Sequence, residues 1–498
     1  MKLKEFFIDH VNDKSEIHYS ESQDKYFLTY KEMLQKAMVL SKEIEPLDRK
    51  IPLLCLIWMD NSVAAYVSFM AIKLAGGIPI PIHAYTSFIE YERIISHLDP
   101  DLIFLSDTQA KLVESRDVST LTLISKSDVT IYKREKIGSY QPPSKTGVIF
   151  MSSGSTGVPK GIMLSDENIL SNVRSIQNYV QLTRDDKVIL LKSIGYASTV
   201  TGEWLTALFA GCDIEIHNNI LKHPLDFVRS VSMSNATFVC TVPSVLIPLV
   251  KMKKHRLLGR TNIRQIMIVG GPLPGEILEL LCSDLPRLSF IPSYGLTEAS
   301  PRVSYLPKEM LFKSESVGIP IQDVEVKIYR DEQELPPFEE GDIVVSGPNV
   351  MLGYFKDPER TEKTLTSYGL LTSDIGYKDG DGALYITGRK DNALNVGGHT
   401  IYPERIEKIM IEHLPLKEVA VTGVEDVIWG QRIFAFIVRI EDSTLYEFDE
   451  RCKQILQATE RPRDFIEVDH LPRTLNGKID RKALRNLAKE HTYVNSLS

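Results

Sequence analysis

The sequence predicts an α/β protein: a large N-terminal domain in which sheets are sandwiched by helices, with a small antiparallel subdomain, and a smaller, mobile α+β C-terminal domain. Three observations predict this architecture. Short, continuously apolar stretches, typical of strands buried on both faces, alternate with helical patterns through the first part of the chain. From Val324 apolar and polar residues alternate strictly, which is typical of an antiparallel sheet. Beyond Asp391 a separate helix and strand pattern follows a polar, turn-rich segment.

The individual elements follow from local patterns. Residues 29–32 form a capping-box pattern, and apolar residues at helical spacing follow until Pro46, so a helix is predicted there. A second helix is predicted over residues 63–74. Predicted strands are residues 51–58, 78–82, 102–105, 188–191, 238–240, 266–269, 324–328 and 341–346, and the C-terminal pattern includes residues 419–421 and 433–438.

These patterns predict the domain boundaries. The N-terminal domain is expected to span residues 1–390 and to include a β-rich subdomain at about residues 317–388. The C-terminal domain is expected to span residues 391–498.

Composition excludes several classes of protein. With 498 residues, 43% hydrophobic and 25% charged, the chain matches globular proteins, and its net charge of -8 provides no basic surface for nucleic acid or an anionic membrane. The five cysteines are widely separated, without the spacing of a zinc site. The longest apolar run, residues 51–59, is half the length of a membrane span. We therefore expect a cytoplasmic protein with no nucleic-acid or membrane partner.

A strand-like apolar run leads into a loop of hydroxyl groups, glycines and one lysine at residues 148–161. Glycines let backbone amides turn toward an anion, while hydroxyls and a lysine add donors and charge, so this loop can hold phosphates. Val158 and Pro159 exclude a kinase-type phosphate loop, and the remaining alternative is a surface turn. The predicted phosphate-binding residues are Ser152, Ser153, Gly154, Ser155, Thr156, Gly157 and Lys160.

Two more polar clusters follow predicted strands, where open α/β sheets bind ligands. One contains Ser293, Tyr294, Gly295, Thr297 and Glu298, and the other contains Gly270, Gly271 and Pro272. A carboxylate in such a place suits Mg²⁺, a hard cation that usually binds through one or two carboxylates and substrate phosphates. Ordinary strand-to-helix turns are the alternative for both clusters.

In their order along the chain these motifs resemble those of the adenylate-forming superfamily, which contains acyl-CoA and aryl-CoA ligases, peptide-synthetase adenylation domains and firefly luciferase. The resemblance implies that Tyr294 stacks on adenine, that Thr297 holds the α-phosphate and that Glu298 contacts Mg²⁺. It also implies that the turn ending at Pro272 lines the adenine slot, where proline replaces an alanine and removes an amide donor.

Later segments extend the resemblance. It implies that Asp374 accepts hydrogen bonds from both ribose hydroxyls, that Arg389 faces ribose or phosphate and that Asp391 is a hinge. Gly397 and Gly398 resemble the loop that approaches the thiol, where paired glycines permit close passage of pantetheine.

Lys478 lies in a segment that resembles the family's C-terminal motif. By that resemblance it bridges the reacting carboxylate and the α-phosphate, and the small domain pivots at Asp391 to withdraw Lys478 and present the Gly397 loop. Taken alone, a lysine after Asn-Gly is typical of a hairpin turn.

The predicted acyl pocket departs from that of amino-acid-activating members of the superfamily. Counting back from residues 203–211, which resemble the pocket helix, Ser198 stands where those members carry an aspartate for the substrate α-ammonium. Because a buried ammonium without a counter-ion is costly, we predict an acid without an α-amino group. Tyr196 and Trp204 are the other predicted pocket residues, and both could instead be ordinary core aromatics. The family often has a histidine near position 195 or 196, and this stretch has none.

Together these features predict an ATP-dependent acid–thiol ligase. A small carboxylic acid would attack ATP to give acyl-AMP and pyrophosphate, and the acyl group would pass to the thiol of CoA, with Lys478, Thr297 and Glu298 as catalytic residues. ATP and Mg²⁺ are the expected cofactors, with CoA or phosphopantetheine as co-substrate. The alternatives are an acyl-AMP ligase that loads an acyl carrier protein and, less favoured, a non-catalytic nucleotide-binding protein.

Overall fold

A computed structural model shows how the chain is organised. It describes residues 1–10, 16–21, 24–44, 52–116, 121–126, 128–134, 140–152, 160–217, 223–426, 429–440, 445–473 and 479–496. One compact unit comprises Met1–Val326 and Val345–Leu370, and the other comprises Lys327–Val344 and Leu371–Ser498. The second unit thus takes up part of the segment assigned to the β-rich subdomain. The boundary after residue 390 stays a prediction about where the chain pivots.

The first unit is built on a mixed sheet. Its strands lie in the order Ile319–Pro320, Ser304–Tyr305, Ser289–Tyr294, Gln265–Ile268, Phe238–Thr241, Lys187–Leu190, Asp213–His217, Glu16–Glu21 and Asp24–Thr29. The run from Ser289–Tyr294 to Glu16–Glu21 is parallel, and antiparallel strands close both ends. Its buried Val, Ile and Phe side chains pack against helices that follow the strands.

Two smaller sheets complete this unit. One contains Ile78–Ile82, Leu54–Trp58, Leu102–Leu105, Thr130–Arg134 and Leu121–Lys126, in that order, and the other contains Gly353–Tyr354, Lys160–Ser165 and Thr146–Ser152. The α-helices of the unit are Leu3–His10, Tyr30–Ile44, Val63–Leu74, Phe88–Leu98, Asp107–Glu114, Asp166–Val180, Ala197–Thr199, Thr206–Ala210, Pro224–Ser234, Pro243–Lys251, Gly275–Asp284 and Pro358–Thr364, with a π-helical turn at Val200–Leu205. These layers confirm the predicted fold class.

The predicted capping box forms at the start of the helix Tyr30–Ile44. The backbone N–H of Thr29 donates to Glu32 Oε2 at 2.8 Å, and the N–H of Glu32 donates to Thr29 Oγ1 at 3.2 Å. Each side chain therefore satisfies a donor that the first helical turn leaves free.

The β-rich segment forms a sheet in which most residues belong to the second unit. Its strands are Gln333–Glu334, Glu325–Arg330, Gly341–Ser346, Gly369–Lys378 and Leu365–Thr366, in that order, with Leu384–Arg389 paired to Gly369–Lys378. Gln333–Glu334 pairs antiparallel with Glu325–Arg330, and both Leu365–Thr366 and Leu384–Arg389 pair antiparallel with Gly369–Lys378, as the strict alternation of apolar residues predicts.

The remainder of the second unit is a sheet covered on both faces. His399–Ile401, Leu394–Val396, Gly430–Arg439 and Leu416–Asp426 lie in that order, and Asp464–Glu467 pairs with Gly430–Arg439. Alternate residues of Gly430–Arg439 face different helices: Ile433 packs with the helices Pro403–His413 and Leu445–Ile455, and Phe434 packs with the helix Arg481–Ser496.

The C-terminal helix is fixed by a half-buried ion pair. Arg481 donates from both terminal nitrogens to the two oxygens of Glu407, at 2.8 and 2.9 Å, and also donates to the Val421 carbonyl at 2.7 Å. A bidentate guanidinium–carboxylate pair of this kind sets direction as well as distance. The helix that follows the Lys478 segment is therefore anchored to the sheet and to the helix Pro403–His413.

Helix hydropathy and the state of the cysteines are two further features of the chain. Across the described ranges, none of the helices combines the length and the apolar character that crossing a bilayer requires. The five cysteines are all free thiols.

Acid stability of the first unit should depend on Glu215, which is buried beside His217 and Lys187 at 2.6 and 2.7 Å. Burial alone would raise the pKa of this carboxyl, but hydrogen bonds from both partners outweigh burial and lower its pKa from 4.5 to about 2. The native state then binds fewer protons than the unfolded chain, so the stabilisation is present above about pH 4.5 and is lost as pH falls toward 2.

As pH falls from 4.5 toward 2, the unfolding free energy of Glu215→Gln should therefore decrease less than that of wild type, by up to about 3 kcal/mol. Urea unfolding at a series of pH values measures this. Glu334→Gln is the matched control, because Glu334 is half exposed in its pair with Lys327. Identical acid profiles for wild type and Glu215→Gln would contradict the prediction.

Candidate active site

Two clusters of predicted ligand residues in the first unit lie at or just beyond the carboxyl ends of parallel strands. These strand ends share one edge of the mixed sheet. Cys240 pairs with Met267 and Ile268 pairs with Pro292, so the turn at residues 270–272 and the segment 293–298 leave neighbouring strands side by side. Their side chains are partly or fully exposed at this edge, whereas the strands below are buried. The structure thus brings together two clusters that are separated in sequence.

Glu298 is held in place by a tyrosine that the sequence analysis missed. The hydroxyl of Tyr354 donates to Glu298 Oε1 at 3.0 Å, and Lys160 Nζ lies 6.0 Å from the centre of the same ring. Burial, and then the charge of Glu298, raises the pKa of the Tyr354 phenol well above its usual value, so the hydroxyl remains a donor. Tyr354 therefore lies next to two predicted ligand residues. They are Lys160, at the end of the predicted phosphate loop, and Glu298, the predicted Mg²⁺ ligand.

Two buried asparagines hold the loop that follows Glu298. The side-chain amides of Asn172 and Asn349 both donate to the carbonyls of Ala299 and Arg302. Gly295 is required where the loop returns, because a Cβ there would lie 1.8 Å from a carbonyl oxygen of the loop. Thr297 starts the short 3₁₀ turn Thr297–Ala299, so its hydroxyl and the Glu298 carboxylate are presented from a fixed backbone.

A histidine lies beside Tyr196 after all, but it comes from another sheet. His83 follows the strand Ile78–Ile82, and its ring centre lies 4.1 Å from that of Tyr196. Burial lowers the pKa of His83 to about 4, so the imidazole is neutral near pH 7. Tyr85 completes the group through a 2.5 Å contact between its hydroxyl and that of Tyr196. Only the position of His83 at a strand end could have indicated it.

Ser198 and Trp204, the other predicted pocket residues, have different surroundings. Ser198 is partly exposed, and Lys192 Nζ donates to its hydroxyl at 3.2 Å. Trp204 is fully buried, with its ring centre 4.9 Å from that of Tyr66 and 5.5 Å from that of Phe69. The structure therefore places Trp204 in the aromatic core, and its role in a pocket stays a prediction.

In the second unit, Asp374 and Arg389 occupy directly paired positions of two antiparallel strands. Arg389 Nε lies 3.1 Å from Asp374 Oδ1, and the Asp374 backbone N–H donates to Thr372 Oγ1. The two predicted ribose residues are thus in contact with each other. Asp391 lies two residues later, exposed in the short turn Lys390–Asn392.

Gly397 and Gly398 form the turn of a hairpin between Leu394–Val396 and His399–Ile401. Both have positive φ angles, 59° and 83°, as a two-residue hairpin turn of this type requires. A cleft of about 470 Å³ adjoins the turn and is lined by Asn395, Gly397, Gly398, Trp429, Gly430 and Gln431. The Arg463 guanidinium lies 5.0 Å from the centre of the Trp429 ring.

Several predicted residues lie outside the described residues. They are Ser153, Gly154, Ser155, Thr156, Gly157 and Lys478. Their flanks are described: Ser152 pairs with Lys160, and Arg473 pairs with Ile479 in an antiparallel bridge.

Known proteins are similar to this chain in sequence and in fold. The sequence profile of the AMP-binding enzymes matches residues 8–355, and that of the AMP-binding enzyme C-terminal domain matches residues 405–478. A 2-succinylbenzoate–CoA ligase of Bacillus licheniformis is 31% identical over 337 residues, 68% of this chain and 69% of that protein. Another, of Bacillus velezensis, is 29% identical over 400 residues, 78% of this chain and 80% of that protein.

Solved structures show the same fold over nearly the whole chain. The o-succinylbenzoate CoA synthetase of Bacillus subtilis, in complex with its acyl-adenylate, has a TM-score of 0.81 and 23% identity, covering 96% of this chain and 97% of that one. ATP-bound MatB of Rhodopseudomonas palustris has a TM-score of 0.85 and 22% identity, covering 98% and 99%.

The family matches and the curated relatives define the class of protein as an adenylate-forming ligase, which confirms the class that the motifs predicted. The chain belongs to the AMP-binding enzyme family.

Removing the Tyr354 hydroxyl should loosen the Glu298 carboxylate without changing the shape of the site. For Tyr354→Phe we expect the Mg²⁺ concentration at half-maximal pyrophosphate exchange to rise about fivefold, the cost of one lost hydrogen bond of about 1 kcal/mol. Tyr132→Phe is the matched control, because the Tyr132 hydroxyl also donates to a glutamate, Glu114, at 2.9 Å in a different sheet. An unchanged Mg²⁺ dependence in Tyr354→Phe would contradict this positioning role.

Proposed function

We propose that this chain activates a carboxylic acid without an α-amino group as its acyl-adenylate and transfers the acyl group to the thiol of CoA. The proposal depends on one observation: Tyr354 contacts both Lys160, beside its ring, and Glu298, through its hydroxyl. A cation and a carboxylate are thereby placed where phosphates and a metal can be held together.

In the first half-reaction, a substrate carboxylate oxygen forms a bond to the α-phosphorus of ATP, and pyrophosphate leaves. Lys160 and Thr297 would bind phosphate oxygens, and Tyr294 would stack on adenine. Glu298 fits Mg²⁺ because its carboxylate is partly exposed and directed by Tyr354. When bound there, Mg²⁺ neutralises phosphate charge.

In the second unit, the adjacent side chains of Asp374 and Arg389 would bind the nucleotide. The Asp374 carboxylate would accept hydrogen bonds from the ribose hydroxyls, and the Arg389 guanidinium would donate to ribose or phosphate oxygens. Lys478 would stabilise the charge that develops between carboxylate and α-phosphate.

The choice of acid is supported by the charges around Ser198. Lys192 Nζ donates to the Ser198 hydroxyl, at the position where amino-acid-activating members carry an aspartate. A substrate ammonium at Ser198 would therefore face the Lys192 cation, and like charges repel. This disfavours α-amino acids.

The thiol acceptor is supported by the cleft at Gly397 and Gly398. Glycines leave the hairpin turn without side chains, and the exposed Trp429 ring adds an apolar wall for the pantetheine chain. In the second half-reaction the thiolate sulfur forms a bond to the acyl carbon. The bond between the acyl carbon and the bridging phosphate oxygen breaks, and AMP leaves with that oxygen.

Exchange of labelled pyrophosphate into ATP, measured across fatty, aryl, hydroxy and amino acids, tests the first half-reaction. The second is tested by thioester and AMP formation with CoA and with a phosphopantetheinylated carrier protein. We expect exchange with acids that lack an α-amino group, and thioester formation with CoA. Exchange with no acid would refute the proposal, and transfer to the carrier protein alone would establish a carrier-loading ligase instead.

Lys478→Ala should abolish pyrophosphate exchange yet still convert supplied acyl-AMP to the thioester, because the lysine would act on the phosphate step alone. Lys482→Ala, four residues later in the C-terminal helix, is the control and should retain both activities. Equal loss of both half-reactions in Lys478→Ala would argue against this division of roles.

Trp429→Ala should raise the KM for CoA about tenfold, which corresponds to an aromatic contact of about 1.4 kcal/mol, and leave pyrophosphate exchange unaffected. Phe338→Ala is the control, because Phe338 is an exposed aromatic of the same unit away from the cleft. An unaltered KM for CoA would remove the cleft from the thiol path.

A further inference from the structure

A short segment of the first unit carries a local excess of positive charge. Between residues 251 and 264 the chain contains six lysines and arginines and no aspartate or glutamate. The net charge of -8 is an average over the whole chain, so it does not exclude a basic surface confined to one place. The six basic side chains of this segment are all exposed, and they are those of Lys251, Lys253, Lys254, Arg256, Arg260 and Arg264.

The direction of the parallel strands places this segment at one edge of the mixed sheet. The helix Pro243–Lys251 runs back from the end of the strand Phe238–Thr241, and Arg264 directly precedes the next strand, Gln265–Ile268. The backbone N–H of Ser289, at the start of the neighbouring strand, donates to the Arg264 carbonyl at 2.8 Å. The segment therefore lies where the strands begin, at the edge opposite to the one that carries the predicted ligand residues.

Other segments that enter the strands at this edge add charge of the same sign. Together the described segments before four adjacent strands contain eight lysines and arginines and three aspartates. They are residues 181–186, 235–237, 251–264 and 284–288. Two of the three carboxylates are already paired, Asp186 with Arg264, and Asp284 with Arg256 and His255. The edge therefore keeps a positive field that the protein itself does not neutralise.

Two methionines with exposed side chains lie at the same edge. Met233 is 65% exposed in the last turn of the helix Pro224–Ser234, and Met252 is 39% exposed directly after the helix Pro243–Lys251. The two helices pack against each other, and both end at this edge. Flexible apolar side chains are thus placed beside cations. We call Met233, Met252 and the six basic residues of the segment 251–264 the basic edge.

An anionic membrane matches both properties of the basic edge. Clusters of roughly four to eight lysines and arginines attract anionic lipid headgroups, and apolar side chains beside them can enter the boundary between headgroups and acyl chains. Nucleic acid would match the charge alone, because cations and polar groups make the contacts to its phosphates. The methionines therefore favour a lipid surface over nucleic acid.

We propose that the basic edge binds peripherally to the surface of an anionic phospholipid membrane. Its lysines and arginines contact lipid phosphates, and Met233 and Met252 enter the headgroup boundary. The edge that carries residues 270–272 and 293–298 then faces away from the lipid. Membrane binding of this kind goes beyond the ligase function and does not depend on it.

Sedimentation of the full chain with lipid vesicles tests the proposal. Wild type should bind vesicles of phosphatidylglycerol mixed with phosphatidylcholine at least about tenfold more strongly than vesicles of phosphatidylcholine alone. Binding should disappear at about 1 M NaCl, where the Debye length is about 3 Å.

Variants assign the binding to the basic edge. Lys253→Ala combined with Lys254→Ala should weaken binding to the anionic vesicles about 25-fold, at about fivefold per lysine. Lys42→Ala combined with Lys111→Ala is the matched control, because both are exposed lysines on other helices of the first unit, and it should bind like wild type. Met252→Gln should weaken binding without changing its dependence on salt. Pyrophosphate exchange should be the same in all these variants.

Equal binding of wild type to both kinds of vesicle, or binding to neither, overturns the proposal, and this comparison needs no variant. Undiminished binding in the folded double variant at Lys253 and Lys254 overturns the assignment to the basic edge. Binding to a DNA duplex that is tighter than binding to the anionic vesicles, and that the same double variant loses, would establish nucleic acid as the partner and overturn membrane binding.

Discussion

The register of the parallel strands in the mixed sheet is the constraint on which the rest of the first unit depends. Hydrogen bonding fixes neighbouring strands so that Cys240 lies beside Met267 and Ile268 beside Pro292, and their carboxyl ends then share one edge. Every segment that leaves a strand at that edge is delivered to the same place. The turn at residues 270–272, the Tyr294 segment and Arg302 are neighbours for this reason, although long stretches of sequence separate them.

Side chains from other parts of the chain fix the positions of the groups at this edge. Asn172 and Asn349 fix the carbonyls of the loop after Glu298, and Tyr354 fixes the carboxylate of Glu298 itself. Buried amide donors of this kind are costly unless each finds an acceptor, so these hydrogen bonds stabilise one loop conformation over others.

Local pattern predicted the elements of the fold closely. The strands Ile78–Ile82, Leu102–Leu105 and Gly341–Ser346 and the helix Val63–Leu74 have the predicted bounds, because periodicity and flanking turns act over a few residues. The strand predicted over residues 51–58 is shorter, Leu54–Trp58, since an apolar run does not mark where pairing begins. The division into units likewise depends on non-local pairing that no local pattern contains.

The sequence by itself determined the fold class and the family, and it predicted the residues for phosphate, metal and ribose binding, because these features are encoded as residue types in short, ordered motifs. Only the tertiary structure decided which distant side chains complete the site. His83 beside Tyr196, Tyr354 on Glu298 and Lys192 with Arg302 at Glu203 are pairs that the fold alone brings into contact. Burial then sets their charge and hydrogen-bonding demands, since desolvation acts on a side chain only once its neighbours in space are in place.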